Sequence, residues 1–177
     1  EPVLVDATVR LDAAATVECS PGRLGQFYDT RLEGDMMLQA LGFEPAKAKD
    51  RLRDPTLEEL VRWIRSTKPS LLHLAGVDTH QAIALLGLER KYPSRERRDG
   101  YAMRSVDPNE PMTLADADVL AKAVCGATSK PDLVMCNFYN SASRVAARMV
   151  ARGAKAAIGY HDVIDDNMAV LFCTTLY

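Results

Sequence analysis

The sequence predicts an α/β domain built on a mostly parallel sheet. In the second half of the chain, helical patterns alternate with short buried apolar runs, and this alternation is typical of β-α-β units. The length of 177 residues is enough for one domain with a sizeable core. The apolar runs are SLLHLAG, PDLVMCNF and KAAIGY.

The first fifty residues form an N-terminal part that we expect to complete the sheet of a core spanning residues 51–177. Residues 2–9 and 15–19 are short and rich in β-branched side chains, which predicts two strands. Residues 33–43 predict a short helix that closes near Gly42.

The clearest helical pattern covers residues 55–68. Thr56 and Glu59 have the spacing of a capping box, which satisfies two backbone amides at the start of a helix. Pro69 prevents the helix from continuing, and the run SLLHLAG then predicts a buried strand. One helical face carries the apolar residues Leu57, Leu60, Val61 and Ile64.

Residues 88–99 are polar, and we interpret them as a solvated loop rather than a basic patch because acidic residues are mixed in. Three more helices are predicted after this loop. Residues 112–126 predict a helix with Thr113 as its N-cap and Gly126 as its stop. Residues 140–153 predict a second helix with an arginine stripe, and residues 165–177 a third that begins at Asp165 and Asp166.

Composition excludes several classes of function. A net charge of −2 creates no field that would gather nucleic acid or anionic lipid, no apolar run is long enough to span a bilayer, and no signal-peptide or phosphate-loop pattern is present. No cofactor is predicted. Because the chain begins at Glu1 without a methionine, we expect it to be a piece of a larger protein.

The four cysteines are widely spaced and form no CxxC pair, so the sequence predicts buried free thiols rather than a disulfide framework. Such thiols fit a reducing, cytoplasmic location. The cysteines are Cys19, Cys125, Cys136 and Cys173.

Ligands and chemistry lie beyond the carboxyl ends of parallel strands, which directs attention to three turns. In the first, residues 76–80, His80 is a candidate general base oriented by Asp78; the simpler interpretation, which we favour, is a capping aspartate and an exposed histidine. His73 precedes this turn inside the strand and is expected to be a hydrogen-bonded core residue.

In the second turn, residues 137–141, Cys136 is a candidate nucleophile. It ends an apolar run, however, where burial would raise the pKa of the thiol, so core packing is the favoured interpretation. Asn140 or Ser141 is expected to cap the next helix.

The third turn, residues 160–166, carries one histidine and three acidic residues, a set that suggests a metal. Capping and helix-dipole roles also explain the acids and are the favoured interpretation, so no metal is predicted. A metal shared by His73, His80 and His161 has no supporting spacing. The residues of this turn are His161, Asp162, Asp165 and Asp166.

Residues 56–177 resemble the CHAT domains, which belong to the caspase, separase and gingipain class of cysteine peptidases. The segments LLHLAG, DGYAM and KPDLVMCNFYNSAS are similar to the strand ending in His-Gly, the hairpin and the Asn-x-Cys-x-Ser strand of the family, in the same order. The tail from residue 145 to 172 resembles the helix, buried strand, acidic turn and final helix of these domains. The resemblance implies a three-layer caspase-like fold.

The resemblance also implies a Cys–His dyad on two neighbouring strand ends. On this pattern Val77 stands where the catalytic histidine is expected, and Tyr139 where the nucleophilic cysteine is expected. His73 matches a structural histidine of the family, and Asn137 and Ser141 match its Asn and Ser. Both catalytic positions are therefore substituted.

Two functions follow. The favoured one is a catalytically degenerate module that acts as a regulator, scaffold or interaction platform in a larger signalling or defence protein, of the kind found in prokaryotes. Its expected partners are proteins or peptide segments, including other domains of the same polypeptide, and neither nucleic acid nor membrane. The alternative is an active cysteine endopeptidase that uses a shifted dyad of His80 and Cys136.

Overall fold

The structure, a computed structural model, describes residues 13–42, 51–94, 98–128 and 130–176. The strand predicted over residues 2–9 lies outside these ranges. The strands are β1 (Ala14–Cys19), β2 (Arg51–Arg53), β3 (Leu71–Gly76), β4 (Gly100–Met103), β5 (Thr113–Asp116), β6 (Leu133–Asn137) and β7 (Ala156–Gly159). The α-helices are α1 (Thr30–Ala40), α2 (Leu57–Thr67), α3 (Thr79–Leu85), α4 (Ala117–Cys125), α5 (Ala147–Ala151) and α6 (Asp166–Leu176).

Five parallel strands form the central sheet in the order β2-β1-β3-β6-β7, which confirms the predicted α/β class. Strands β4 and β5 pair antiparallel as a separate hairpin. The order of the parallel strands reverses beside β1, and in such sheets ligands bind beyond the carboxyl ends near the reversal. None of the described helices is long and apolar enough to cross a membrane.

Helices cover both faces of the sheet, so the described chain has three layers. Successive strand residues point to opposite faces, and the two faces differ in polarity. Leu72, Leu74, Val134 and Cys136 belong to one continuous apolar core, which they share with buried residues of α2, α4 and α5. Helices α1 and α6 contact each other across the other face, where α1 packs on β1 and β3.

The hairpin and α3 sit at the carboxyl edge of the sheet. Asp78, just after β3, forms an antiparallel bridge with Tyr101 of β4. The fully buried Tyr101 donates a hydrogen bond of 2.5 Å to the carbonyl of Ala75 and packs its ring 5.0 Å from that of Phe138. A side chain on Gly76 would come within 2.6 Å of the Tyr101 ring, so this close approach requires glycine.

The predicted helix over residues 112–126 is wrong in its first third. Thr113–Asp116 is strand β5, paired with Gly100–Met103, and α4 begins only at Ala117. Asp116 rather than Thr113 is the N-cap, since its carboxylate accepts a hydrogen bond of 2.8 Å from the amide of Val119. The local pattern of these residues predicts a helix, but pairing with β4 makes them a strand.

Two other predicted helices begin differently. Helix α1 starts at Thr30, three residues before the predicted start, because the carboxylate of Asp29 caps it. The predicted helix over residues 140–153 opens with a π-helical turn, Ala142–Ala146, that leads into α5.

Strand β7 is predicted to be buried but is half-exposed, because it forms an edge of the described sheet.

Other predictions are confirmed. The capping box of Thr56 and Glu59 is formed at the start of α2, with both hydrogen bonds present. All four cysteines are free and buried. Residues 89–91 are exposed, and Lys91 pairs with Glu110, as expected of a solvated loop.

A buried ion cluster lies under α1. The side chain of Glu18 is 1% exposed and that of Arg51 is 5% exposed, and Arg51 donates hydrogen bonds to Glu18 and to Asp35 of α1. Arg53 adds a second guanidinium 3.1 Å from Glu18. Burial raises the pKa of Glu18, while both arginines act in the opposite direction. Because Gly34 has no side chain, α1 can lie directly on the Glu18 carboxylate.

We expect Gly34→Ala to lower the free energy of unfolding by about 1–3 kcal/mol, because the added methyl group would overlap Glu18 Oε1 and approach Cδ to 2.7 Å. Alanine is the better helix former, so local propensity alone predicts the opposite sign. Urea denaturation measures the change. Gln39→Ala, at an exposed position of the same helix, is the matched control and should leave stability nearly unchanged. Equal stability of the two variants would contradict this packing.

Candidate functional site

A cavity of about 120 Å³ opens at the carboxyl ends of β3, β6 and β7, beneath the start of α1. Gly76, Asn137 and Tyr160 line it from the sheet side, and Asp29 and Glu33 line it from α1 and its cap. The cavity thus lies where a doubly wound parallel sheet carries its ligands. The cavity spans the ends of β3 and β6, the two neighbouring strands after which the sequence predicts the candidate catalytic positions.

The wall of the cavity combines aromatic rings with acidic and amide groups. Among the described residues that line it, none is a lysine, arginine or histidine. Gln81 donates a hydrogen bond to the hydroxyl of Tyr28, which fixes one side of the opening. The aromatic residues are Phe27, Tyr28, Phe138, Tyr139 and Tyr160, and the polar ones include Asp29, Glu33, Gln81 and Asn137.

Val77 faces away from the cavity. It is fully buried and packs in a small apolar cluster with residues of α3 and the hairpin, including Ile83, Ala102 and Met112. Its carbonyl accepts a hydrogen bond of 2.9 Å from the amide of Ala102. Both interactions hold this position to the hairpin, and the valine side chain offers no group that can transfer a proton.

Tyr139 lies on the cavity wall and is half-buried. Asn140 follows with a φ of 54°, a left-handed conformation that asparagine tolerates better than most residues, and turns the chain sharply after β6. The two positions predicted to have held a dyad therefore differ: Tyr139 borders the cavity, whereas Val77 is buried beside it.

His80 and Cys136 are not hydrogen-bonded to each other in the described part of the chain. Cys136 is fully buried in the apolar core, where burial raises the pKa of its thiol far above the usual range. The ring of His80 instead lies 3.0 Å from the carboxylate of Asp99. Asp78 caps α3 through the amides of His80 and Gln81, as the favoured interpretation predicted.

Ser141 occupies the N-cap position of the π-helical turn, but its side chain makes no capping hydrogen bond there, which corrects the role predicted for it. Its hydroxyl donates a hydrogen bond of 2.8 Å to the carbonyl of Cys136 and accepts one of 3.1 Å from the amide of Tyr160. Fully buried, it joins the ends of β6 and β7 at the cavity. Gly159 permits this contact, since a side chain there would lie 2.7 Å from the Ser141 hydroxyl.

The three histidines do not come together. His161 and Asp162 are exposed, and Asp165 caps α6 through the amides of Asn167 and Met168. His73 is fully buried, as predicted, but on the polar face of the sheet under α1.

His73 belongs to a buried polar cluster that the sequence did not reveal. Glu33 Oε1 is hydrogen-bonded both to His73 Nε2 and to the side-chain amide of Asn137. Cys173 of α6 reaches the same place, and its sulfur lies 3.8 Å from the hydroxyl of Tyr160. Burial, with the Glu33 carboxylate nearby, raises the pKa of Cys173 to about 12.

No local motif could have identified this cluster, because its members are far apart in sequence. Glu33 is 40 residues from His73 and 104 from Asn137. The strand alternation does place His73 and Asn137 on one face, since Ala75 pairs with Asn137 in the parallel register. Only the docking of α1 and α6 on that face supplies Glu33 and Cys173.

Comparison with known proteins gives no family for this chain: no protein-family model matches it, and no curated protein matches it. The cavity and the side chains around it are therefore the basis for proposing a function.

We expect Ser141→Ala to lower the free energy of unfolding by about 1–3 kcal/mol, because it leaves the buried carbonyl of Cys136 and amide of Tyr160 without their partner. Thermal and urea denaturation measure the loss. Ser143→Ala, two residues further on at an exposed position, is the control and should change stability little. If both serines prove equally dispensable, Ser141 does not join the strand ends.

Proposed function

We propose that this chain is a catalytically degenerate domain of the CHAT type, which binds a protein segment in its carboxyl-edge cavity and has no peptidase activity. The observation that carries the proposal is the pair of substituted positions beside that cavity. Val77 is buried in an apolar cluster, and Tyr139 stands on the cavity wall. A binding site is thus retained next to positions that have lost both reactive groups.

The chemistry of these groups argues against peptide cleavage. Valine cannot act as a general base, and a tyrosine hydroxyl with an ordinary pKa of about 10 is a poor peptide nucleophile. The shifted pair is no better supported: His80 is hydrogen-bonded to Asp99, no base among the described residues is hydrogen-bonded to Cys136, and burial of Cys136 disfavours the thiolate. In this proposal the domain acts by binding.

The lining of the cavity indicates the kind of side chain it accepts. Two acidic residues, Asp29 and Glu33, line a space walled by aromatic rings, with no basic residue among the described lining. Aromatic faces and carboxylates both attract cations. The proposed ligand is therefore an extended protein segment that inserts an arginine or lysine side chain.

The role of such binding is regulatory or architectural. The family resemblance implies a larger signalling or defence protein, in which the bound segment belongs to another domain of the same polypeptide or to a partner. Helix α1 supplies Glu33 to the cavity and is held by the buried ion cluster of Glu18 and Arg51. A bound segment would thus contact an element that is firmly connected to the central sheet.

We expect no covalent adduct when the native chain is incubated with peptide chloromethyl ketones that carry basic, acidic or apolar terminal residues, because all four thiols are buried. Intact-protein mass spectrometry measures adduct formation, and the same reagents applied in denaturant show that the thiols are otherwise reactive. A native adduct at Cys136 that a competing peptide blocks and that His80→Ala abolishes would instead establish the shifted-dyad peptidase.

We expect a peptide with a central arginine to bind more tightly than the same peptide with glutamine, and Asp29→Asn to weaken the arginine peptide roughly two- to fivefold, the range of an exposed ion pair. Asparagine caps a helix about as well as aspartate, so α1 should stay intact. Fluorescence anisotropy with labelled peptides measures the affinities.

Asp107→Asn removes an exposed charge that does not line the cavity and is the matched control. Equal weakening by both aspartate variants would point to a general effect of charge, and no preference for arginine would contradict the proposed ligand.

A further inference from the structure

The buried cluster under α1 brings together three side chains whose donor atoms are metal ligands. Glu33, His73 and Cys173 each offer one donor atom, and these three atoms lie within 4.8 Å of one another. His73 and Cys173 are almost completely buried, and Glu33 is largely so. Each comes from a different element, α1, β3 and α6, so only the folded chain assembles the set.

Two buried polar atoms beside this set lack partners. Among the described residues, Thr16 Oγ1 and Asn137 Oδ1 are the buried side-chain atoms without a hydrogen bond. Asn137 is 6% exposed, and the amide that carries this oxygen donates to Glu33. Thr16 is the register neighbour of His73 on β1. An unsatisfied buried oxygen costs about 1–3 kcal/mol, so its position beside three metal-type donors indicates a missing partner.

We propose that Glu33, His73 and Cys173 bind one divalent metal ion of the zinc class. The site goes beyond the proposed peptide binding and does not depend on it. A thiolate, an imidazole and a carboxylate are the three ligand types that zinc takes from proteins. Calcium and magnesium require oxygen-rich sites, which makes them a poor match to a cysteine and a histidine.

The separations suit a zinc ion after small side-chain movements. With metal–ligand distances of about 2.0–2.3 Å, donor atoms around a tetrahedral zinc lie roughly 3.3–3.6 Å apart. The donor atoms lie within 4.8 Å of one another, and Glu33 Oε1 is hydrogen-bonded to His73 Nε2, so the flexible Glu33 side chain must rotate and open this hydrogen bond to admit the ion. On binding, the Cys173 thiol loses its proton to solvent and becomes a thiolate ligand of the zinc.

The cavity gives the ion an entry path and a fourth ligand. Glu33 and Asn137 line the cavity and also belong to the cluster, and Tyr160 lines it beside Cys173. A water molecule from the cavity can complete four-coordination. The Asn137 amide, already bonded to Glu33, orients that ligand in the way that outer-shell groups commonly do.

The test is to bind metal to the 177-residue chain after treatment with a chelator. We expect one zinc per chain by competition with a chromophoric chelator, and one cobalt(II) whose spectrum contains a thiolate-to-cobalt charge-transfer band. Cys173→Ser and His73→Gln should each weaken zinc binding at least tenfold, and Cys173→Ser should remove the band. Cys125→Ser, at a cysteine of similar burial, and His80→Gln should leave both unchanged.

A second measurement uses the unaltered chain, in case the variants fold poorly. Slow alkylation followed by mass spectrometry reports each thiol, and zinc should protect Cys173 more than it protects Cys19, Cys125 or Cys136. Any one of three results would overturn the metal site: equal protection of all four thiols, no charge-transfer band in the unaltered chain, or a zinc affinity that Cys173→Ser does not change. The cluster would then be only a buried hydrogen bond between a histidine and a carboxylate.

Discussion

One face of the parallel sheet buries charged side chains, and the rest of the structure depends on pairing these charges. Glu18 of β1 points into the protein, and a buried carboxylate is tolerated only with compensating charge and hydrogen bonds. Arg51 supplies both from the neighbouring strand and extends the ion cluster to α1 through Asp35. This constraint fixes α1 over the sheet, and with it the position of Glu33. The absence of a side chain at Gly34 then determines how closely α1 can approach the sheet.

The opposite face is organised by apolar packing of the described residues. Its residues form a continuous core with α2, α4 and α5 that includes Cys136. Because one face of the sheet is apolar and the other is partly polar, the thiols of Cys136 and Cys173 lie in different environments. Cys136 is enclosed by apolar residues because it belongs to the apolar side, whereas Cys173 lies beside a histidine and a carboxylate because it belongs to the other.

At the carboxyl edge, the hairpin and α1 together shape the cavity. Tyr101 connects the hairpin to β3 through the Ala75 carbonyl, and Val77 packs beneath the hairpin instead of facing the opening. Glu33 and Asn137 belong both to the cavity and to the buried cluster. The two proposals therefore concern adjoining sites that share Glu33, so a metal ion bound to this carboxylate would oppose the binding of a basic side chain in the cavity.

The sequence by itself determined the α/β class, the capping box, the burial of the cysteines and the three turns at the carboxyl edge, because these follow from local periodicity and turn chemistry. The tertiary structure decided that residues 113–116 pair as a strand, since hairpin hydrogen bonds outweigh local preference, and that the Ser141 side chain joins two strand ends rather than capping the helix that follows. It alone assembled Glu33 with Cys173, because contacts between residues so distant in sequence come from the docking of whole elements and not from any spacing along the chain.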